Sequence, residues 1–135
     1  MSNLINNTPI VAIDFDGTIV KHSKQFPIIG ELIEGAVYAI SNFKLYNIKT
    51  ILWTSRTGYE LIDAVEFCSA HRIFFDAINS NIPNIPSNRG VPKVVAQFYI
   101  DDKSASRSSI GDLTNEEWLN IERYIVTDFK RRELI

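Results

Sequence analysis

The sequence predicts an α/β fold built on a parallel β-sheet with helices on both faces. Four short, β-rich apolar runs alternate with segments of helical periodicity along the chain. The first run is continuously apolar rather than alternating, which is typical of a strand covered on both faces. Three of the four runs end in acidic or hydroxyl-bearing residues. Alternation of this kind favours a parallel sheet whose strands are joined by right-handed helical crossovers.

The predicted elements follow the order strand, helix, strand, helix, strand, short helix, strand, helix. The strands are expected at residues 10–14, 48–54, 72–78 and 96–102. The helices are expected at residues 31–46, 59–72, 92–97 and 114–134. Pro92 suits the first position of the short helix. Thr114, followed three residues later by Glu117, has the pattern of a capping box at the start of the last helix.

Length, composition and charge limit the class of protein. The 135 residues, 45% hydrophobic and 22% charged, are expected to form one globular domain over residues 1–135. The formal net charge of −2 gives no general support for binding to nucleic acid or to an anionic membrane. The one cysteine, Cys68, has no partner for a disulfide and is interpreted as a small buried hydrophobe. With neither a secretion signal nor an apolar span in the sequence, we expect a cytoplasmic protein.

Polar side chains gather where the predicted strands end. They are Asp14, Asp16, Thr54, Ser55, Arg56, Asp101 and Asp102, with Lys93 just before the fourth strand. Ligands of open α/β sheets bind outside the carboxyl ends of the strands, so we expect these side chains at one edge. A divalent cation and a lysine would relieve the repulsion among the carboxylates, and oxygen ligands suit Mg²⁺. Such a site, with a carboxylate as nucleophile, is suited to phosphoryl transfer.

These groups of residues resemble the four motifs of the haloacid dehalogenase-like (HAD) hydrolases. The matching stretches are "DFDGT" at 14–18, "WTSR" at 53–56, Lys93 and "IDD" at 100–102. They occur in the order found in that family and extend over about residues 9–102. We therefore expect a three-layer, Rossmann-like sandwich. Its parallel sheet would have at least four strands in the order 4-1-2-3, with the first strand central.

The resemblance implies catalytic roles for three residues. Asp14 would be the nucleophile that attacks phosphorus and forms an aspartyl-phosphate. Asp16 would protonate the leaving oxygen and then activate the water that hydrolyses this intermediate. Lys93 would neutralise charge on Asp14 and on the phosphoryl group. An acid two residues after the nucleophile indicates phosphatase chemistry, because an alkoxide leaving group needs a proton.

The resemblance also implies how the phosphoryl group is held. Thr54 would bind one phosphoryl oxygen through its hydroxyl, together with backbone N–H groups near Phe15 and Ser55. Arg56 follows this motif and could reach an anion on the substrate, although a surface salt bridge is the alternative interpretation.

The same resemblance implies a Mg²⁺ site of oxygen ligands. Asp14 and Asp101 would be its carboxylate ligands, and the backbone carbonyl of Asp16 would bind the metal as well. Asp102 would orient Lys93 or bind the metal, either directly or through water.

The chain has no room for the cap domain that many HAD hydrolases carry. About 36 residues separate Thr18 from Ser55, and a crossover helix takes up most of them. Residues 20–30 would form a flap beside the site, and the loop at residues 79–90 could also face the substrate. An open site admits a phosphorylated metabolite, a nucleotide, a polynucleotide terminus or a phosphoprotein. A second copy of the chain could supply the missing lid.

Other interpretations of the acidic strand ends remain. The first pair of acids alone could be an ordinary turn. Response-regulator receivers also combine acids, a Thr and a Lys, but their paired acids precede the phosphorylated Asp. A catalytically silent HAD-like module that binds phosphate or a partner is the third alternative.

Several further side chains near these motifs have open roles. His22 in the flap could contact the substrate, whereas His71, at a predicted helix end, is interpreted as structural. Trp53 and Trp118 are expected to be packed in the interior. Residues 103–109 form a basic segment, interpreted as a solvated loop or as part of the approach of an anionic substrate.

Overall fold

The computed structural model describes residues 7–83, 94–107 and 110–135. In these residues the chain forms four strands and three helices. The strands are β1 (Ile10–Ile13), β2 (Lys49–Leu52), β3 (Ala77–Ile78) and β4 (Phe98–Ile100). The helices are α1 (Glu34–Leu45), α2 (Gly58–Ala70) and α3 (Asn115–Arg131). The predicted α/β class is confirmed, although all four strands are shorter than the sequence pattern indicated.

The four strands form one parallel sheet with β1 at its centre. β1 pairs with β2 on one side and with β4 on the other, and β2 pairs with β3. The strand order is β3-β2-β1-β4. Read from the opposite edge, this is 4-1-2-3, so the neighbouring strands are the pairs that the sequence analysis expected.

Side chains of β1 alternate between two hydrophobic clusters, one on each face of the sheet. Val11 and Ile13 belong to the larger cluster, to which α1, α2 and α3 all contribute buried residues. Ile10 and Ala12 belong to a smaller cluster on the other face, together with Ile51, Ala77, Ile82 and Val94. Within the described residues, the helices therefore cover one face of the sheet and not both.

The short helix predicted at residues 92–97 is not helical in its described part, residues 94–97. The backbone N–H of Val95 donates to Asn81 Oδ1 at 2.6 Å, and that of Ala96 donates to the hydroxyl of Tyr99 at 3.2 Å. The side chain of Val94 is buried against the sheet. Two backbone N–H groups of this segment therefore bond to side chains, and local helical periodicity predicted the wrong conformation.

Helix α3 begins with the predicted capping box and also caps α1. The Thr114 hydroxyl accepts a hydrogen bond from the Glu117 backbone N–H at 3.1 Å, and the Glu117 carboxylate accepts one from the Thr114 N–H. The next residue, Asn115, accepts a hydrogen bond from the Gly35 N–H in the first turn of α1 at 2.7 Å. One helix start therefore satisfies donors of two helices, which fixes α1 and α3 against each other.

Helix α2 confirms the interpretation of Cys68 and places His71 at the helix end. Cys68 is fully buried, and burial raises the pKa of its thiol to about 12. His71 is the C-terminal cap, and its ring packs 4.6 Å from the Phe67 ring, measured between centroids. Among the described helices, none is both long and apolar enough to cross a membrane.

The capping box predicts a measurable difference between two threonines. Thr114→Ala should lower the free energy of unfolding by about 1 kcal/mol, because the Glu117 N–H loses the hydroxyl oxygen that accepts its hydrogen bond. Thr57→Ala is the matched control, since Thr57 caps α2 without a side-chain hydrogen bond. Urea denaturation of both variants measures the difference, and equal losses would contradict this account of α3.

Candidate active site

The register of the parallel sheet brings three strand ends to the same level. Ile13 is paired with Leu52 on one side and with Ile100 on the other. The residues that come next in these three strands are Asp14, Trp53 and Asp101. The backbone N–H of Asp14 donates to Ile100 O at 3.0 Å, and that of Trp53 donates to Ile13 O at 2.8 Å. Polar residues far apart in sequence are therefore held together by the ladder of the sheet.

A cavity of about 320 Å³ lies at this edge of the sheet. Its lining, within the described residues, consists of Asp14, Trp53, Thr54, Ser55 and Asp101. Four of these five are residues that the sequence analysis expected to share a site. Trp53 was expected to be packed in the interior, and this expectation is wrong. Its side chain is 37% exposed and contacts the Tyr99 ring at 5.4 Å between centroids.

Asp14 is a carboxyl group that resists ionisation. Burial is the largest cause, and it raises the pKa of Asp14 to about 6. The negative charges of Asp102, Asp101 and Asp16 raise it further, while a hydrogen bond from the Phe15 N–H at 2.8 Å opposes the shift. The resemblance implies that the Phe15 N–H binds phosphate, but in the structure it donates to Asp14.

Arg56 is buried, and its guanidinium forms a bidentate salt bridge with the carboxylate of Asp16. Nε donates to Asp16 Oδ2 and Nη2 donates to Asp16 Oδ1, both at 2.8 Å. Nη1 donates to the backbone carbonyl of Pro27 at 3.0 Å. The Arg56 side chain is 0% exposed and that of Asp16 is 16% exposed. The Arg56 guanidinium is therefore enclosed and does not reach a substrate anion, although one interpretation expected this contact. The alternative, a surface salt bridge, is also wrong, because the pair with Asp16 is buried.

Thr54 is held in place by a residue that the sequence analysis did not single out. The backbone N–H of Thr54 donates to Asn79 Oδ1 at 2.8 Å, and its hydroxyl accepts a hydrogen bond from the Arg56 N–H at 3.2 Å. Asn79 follows β3 and has a φ of 49°, a conformation that asparagine tolerates better than most residues. The position of Asn79, directly after a predicted strand, was the available signal.

Asp102 lies under the flap, between His22 and the backbone of Gly17. His22 Nε2 is 2.9 Å from Asp102 Oδ2, and Lys103 Nζ is 3.4 Å from the same oxygen. Burial is the largest influence on Asp102 and opposes its ionisation, but these partners outweigh burial and its pKa is lowered. A Cβ on Gly17 would lie 2.5 Å from both Asp102 Oδ2 and His22 Nε2, so only glycine fits at this position. The sequence left open a substrate contact for His22, and in the structure its ring contacts Asp102.

The basic segment at residues 103–109 contains an arginine that is not a solvated charge. Arg107 donates to both carboxylate oxygens of Glu117 at 2.7 Å and to the backbone carbonyls of Asp102 and Gly111. Its side chain is largely buried. Arg107 therefore ties the chain after β4 to the start of α3. The sequence offered no direct signal for this role, because residues 103–109 look like an ordinary polar loop.

Lys93 lies outside the described residues, and so does most of the loop at residues 79–90. The expected roles of Lys93 stay predictions. The flap, by contrast, is described throughout. Its base is closed by a backbone hydrogen bond from Lys21 N–H to Glu31 O at 2.8 Å.

The described residues offer a limited set of oxygen donors for a cation. Within them, no group of three or more His, Cys, Asp or Glu side chains is arranged to hold a metal ion. Mg²⁺, however, is usually held by one or two carboxylates, with waters and substrate phosphate completing its shell. Asp14 and Asp101 line one cavity, and Asp102 Oδ1 is buried without a hydrogen-bond partner among the described residues. These donors fit a partly hydrated Mg²⁺.

Comparison with known proteins identifies a structural relative. No protein-family model matches the chain, and no curated protein matches its sequence. A solved structure of a conserved protein encoded by a Bacteroides thetaiotaomicron locus is 33% identical, with a TM-score of 0.73. The match covers 90% of this chain and 92% of that one. The chain belongs to the family of this conserved protein.

The raised pKa of Asp14 predicts that this residue limits stability at neutral pH. The folded protein holds the Asp14 proton more tightly than the unfolded chain does, so the contribution of Asp14 to stability is fully present below about pH 4 and is lost as the pH rises through about 6. Asp14→Asn should therefore raise the free energy of unfolding at pH 7 by about 1–2 kcal/mol, a value reduced for partial solvent screening.

The stability difference should vanish near pH 4, where both side chains are neutral. Asp63→Asn, on the exposed surface of α2, is the matched control and should show little change at either pH. Urea denaturation at pH 4 and pH 7 measures both variants. A destabilised Asp14→Asn at pH 7 would contradict the electrostatic account.

Proposed function

We propose that the protein is a Mg²⁺-dependent phosphomonoester hydrolase of the HAD type, working through an aspartyl-phosphate on Asp14. The observation that carries the proposal is the shared cavity of Asp14, Thr54, Ser55 and Asp101. It combines a carboxylate nucleophile, hydroxyl donors and a second carboxylate in the chain order of the HAD motifs. The raised pKa of Asp14 supports the same assignment, because perturbed carboxyl groups in a cleft mark functional sites.

The proposed first step transfers the phosphoryl group to the protein. An Asp14 oxygen attacks phosphorus, a new O–P bond forms, and the bond between phosphorus and the ester oxygen breaks. The leaving oxygen takes a proton from Asp16. Thr54 holds a phosphoryl oxygen through its hydroxyl, and Ser55 borders the same space.

The proposed second step returns the protein to its starting state. Asp16 takes a proton from water, and the resulting hydroxide attacks phosphorus. The bond between phosphorus and the Asp14 oxygen breaks, which releases inorganic phosphate and leaves Asp16 protonated for the next cycle.

Mg²⁺, when bound, would neutralise charge on the phosphoryl group and on the surrounding carboxylates. Asp14, Asp101 and the backbone carbonyl of Asp16 are the residues that would hold it, and Asp102 Oδ1, which has no hydrogen-bond partner among the described residues, would be a further oxygen donor. Both oxygens of the Asp16 carboxylate accept hydrogen bonds from Arg56. Its part in the metal site is therefore limited to the backbone.

A third layer, on the face opposite the helices, would complete a Rossmann-like sandwich. Between β1 and β2 the chain holds the flap and α1 and no cap domain. We propose an open site that takes a phosphorylated metabolite, a nucleotide or a polynucleotide terminus, with a second copy of the chain as a lid.

A catalytically silent phosphate-binding module is the second candidate. The observation in its favour is the pairing of both Asp16 oxygens with Arg56, since a general acid must exchange its proton. The two candidates differ in turnover: the silent module would bind phosphate or phosphorylated ligands without releasing product.

Purified protein should hydrolyse 4-nitrophenyl phosphate in the presence of Mg²⁺ and lose this activity in a chelator. Asp14→Asn should reduce kcat by at least about 10³-fold, because the nucleophile is lost. Asp63→Asn controls for a general effect of removing an acidic side chain. A fully active Asp14→Asn would refute the mechanism, and binding without turnover by the unmodified protein would favour the silent module.

The pH dependence of activity should reflect ionisation of Asp14. The nucleophile must be ionised, and its pKa is about 6, so kcat/KM should fall as the pH decreases through this value. A bound cation favours the ionised form. Higher Mg²⁺ concentrations should therefore move the acid limb to lower pH. An acid limb that does not respond to Mg²⁺ would argue against a metal beside Asp14.

A further inference from the structure

We propose that Arg56 is a positioning residue, which fixes the carboxylate of Asp16 and joins it to the flap. The inference rests on the proposed function, because it assigns Asp16 the proton-transfer role. Arg56 itself would touch neither the substrate nor the reacting atoms. It acts through Asp16.

The first support is the way in which the guanidinium is enclosed. Its planar fork engages both oxygens of Asp16 at 2.8 Å, and its remaining terminal nitrogen donates to Pro27 O at 3.0 Å. The guanidinium carbon lies 5.2 Å from the centre of the Phe15 ring and 4.9 Å from that of Phe26. A buried guanidinium is tolerated only when it is paired and hydrogen-bonded throughout, so this arrangement leaves it one position.

The second support is what the fork does to the carboxylate. A carboxylate held by one donor can rotate, whereas a bidentate pair with arginine fixes both its plane and its position. Each carboxylate oxygen has two lone pairs, so a site for a proton remains on the part of Asp16 that is still exposed. Proton transfer requires an acid within hydrogen-bond reach of the leaving oxygen, and misplacement by about 1 Å is costly.

The third support is the connection to the flap. The base of the flap is closed by hydrogen bonds from Lys21 N–H to Glu31 O and from Ile33 N–H to Ile19 O. Its turn, at Phe26 and Pro27, reaches the Arg56 guanidinium. Arg56 therefore links the flap to Asp16. The position of the Asp16 carboxylate depends on the position of the flap.

Arg56→Lys tests the proposal, because lysine keeps the charge but cannot form the fork. The measurement is kcat/KM for 4-nitrophenyl phosphate and for an alkyl phosphate, with Mg²⁺. Nitrophenolate leaves without a proton, but an alkoxide needs one. The variant should lose at least about ten-fold more activity on the alkyl phosphate than on 4-nitrophenyl phosphate. In an Asp16→Asn background, the same substitution should not change this ratio further.

Arg107→Lys is the matched control. Arg107 also forms a bidentate pair with a carboxylate, that of Glu117, but this pair lies at the start of α3. Its loss should not change the ratio between the two substrates. Phe26→Ala removes the ring over the guanidinium without touching the pair, and it should shift the ratio in the same direction as Arg56→Lys, by less. This variant carries the test if Arg56→Lys does not fold.

The outcomes separate the two proposals. If the unmodified protein hydrolyses neither ester, the proposed function fails and the role of Arg56 fails with it. If the protein is active but both substitutions lower the two rates equally, only the positioning role is overturned. Arg56 would then be a purely structural residue.

Discussion

The register of β1 between β2 and β4 is the constraint on which the remaining structure depends. Ile13 is matched with Leu52 and with Ile100, so the chain leaves three neighbouring strands at one level. A shift of β1 by one residue would turn Val11 and Ile13 away from the helices and expose the wrong face. Packing in the interior therefore determines which side chains meet in the cavity. The positions of the site residues are fixed by the register of the sheet.

The turn after β1 extends this constraint to α3 and the flap. Gly17, with a φ of 82°, lets the chain turn directly under Asp102 and His22. The next residue, Thr18, accepts a hydrogen bond from the buried indole of Trp118 at 2.7 Å through its backbone carbonyl. The expected interior position of Trp118 is thereby confirmed. A single short turn holds together the end of the central strand, the acid after β4 and the last helix.

The sequence predicted the strand ends well because their position depends on patterns that are local. Asp14, Thr54 and Asp101 each follow an apolar run, and parallel strands bring such ends together. Arg56 and Arg107 could not be predicted in the same way, because their partners are set by how loops return to the sheet. Arg56 meets a carboxylate 40 residues away in the chain. The described part of the short helix was predicted wrongly as well, and its Val95 N–H bonds to Asn81, 14 residues away in the chain, a contact that local periodicity does not reveal.

Asp14 and Asp102 have pKa shifts in opposite directions because their hydrogen-bond and charge partners differ. Asp102 has His22 and Lys103 beside it, and its pKa is lowered although it is buried. Asp16 is paired with Arg56. Asp14 has the hydrogen bond of a backbone N–H and the repulsion of its neighbours, so its pKa is raised. A cation beside Asp14 would therefore offset the repulsion from its neighbouring acids. The fold thus leaves a carboxyl group with a raised pKa, Asp14, facing the cavity.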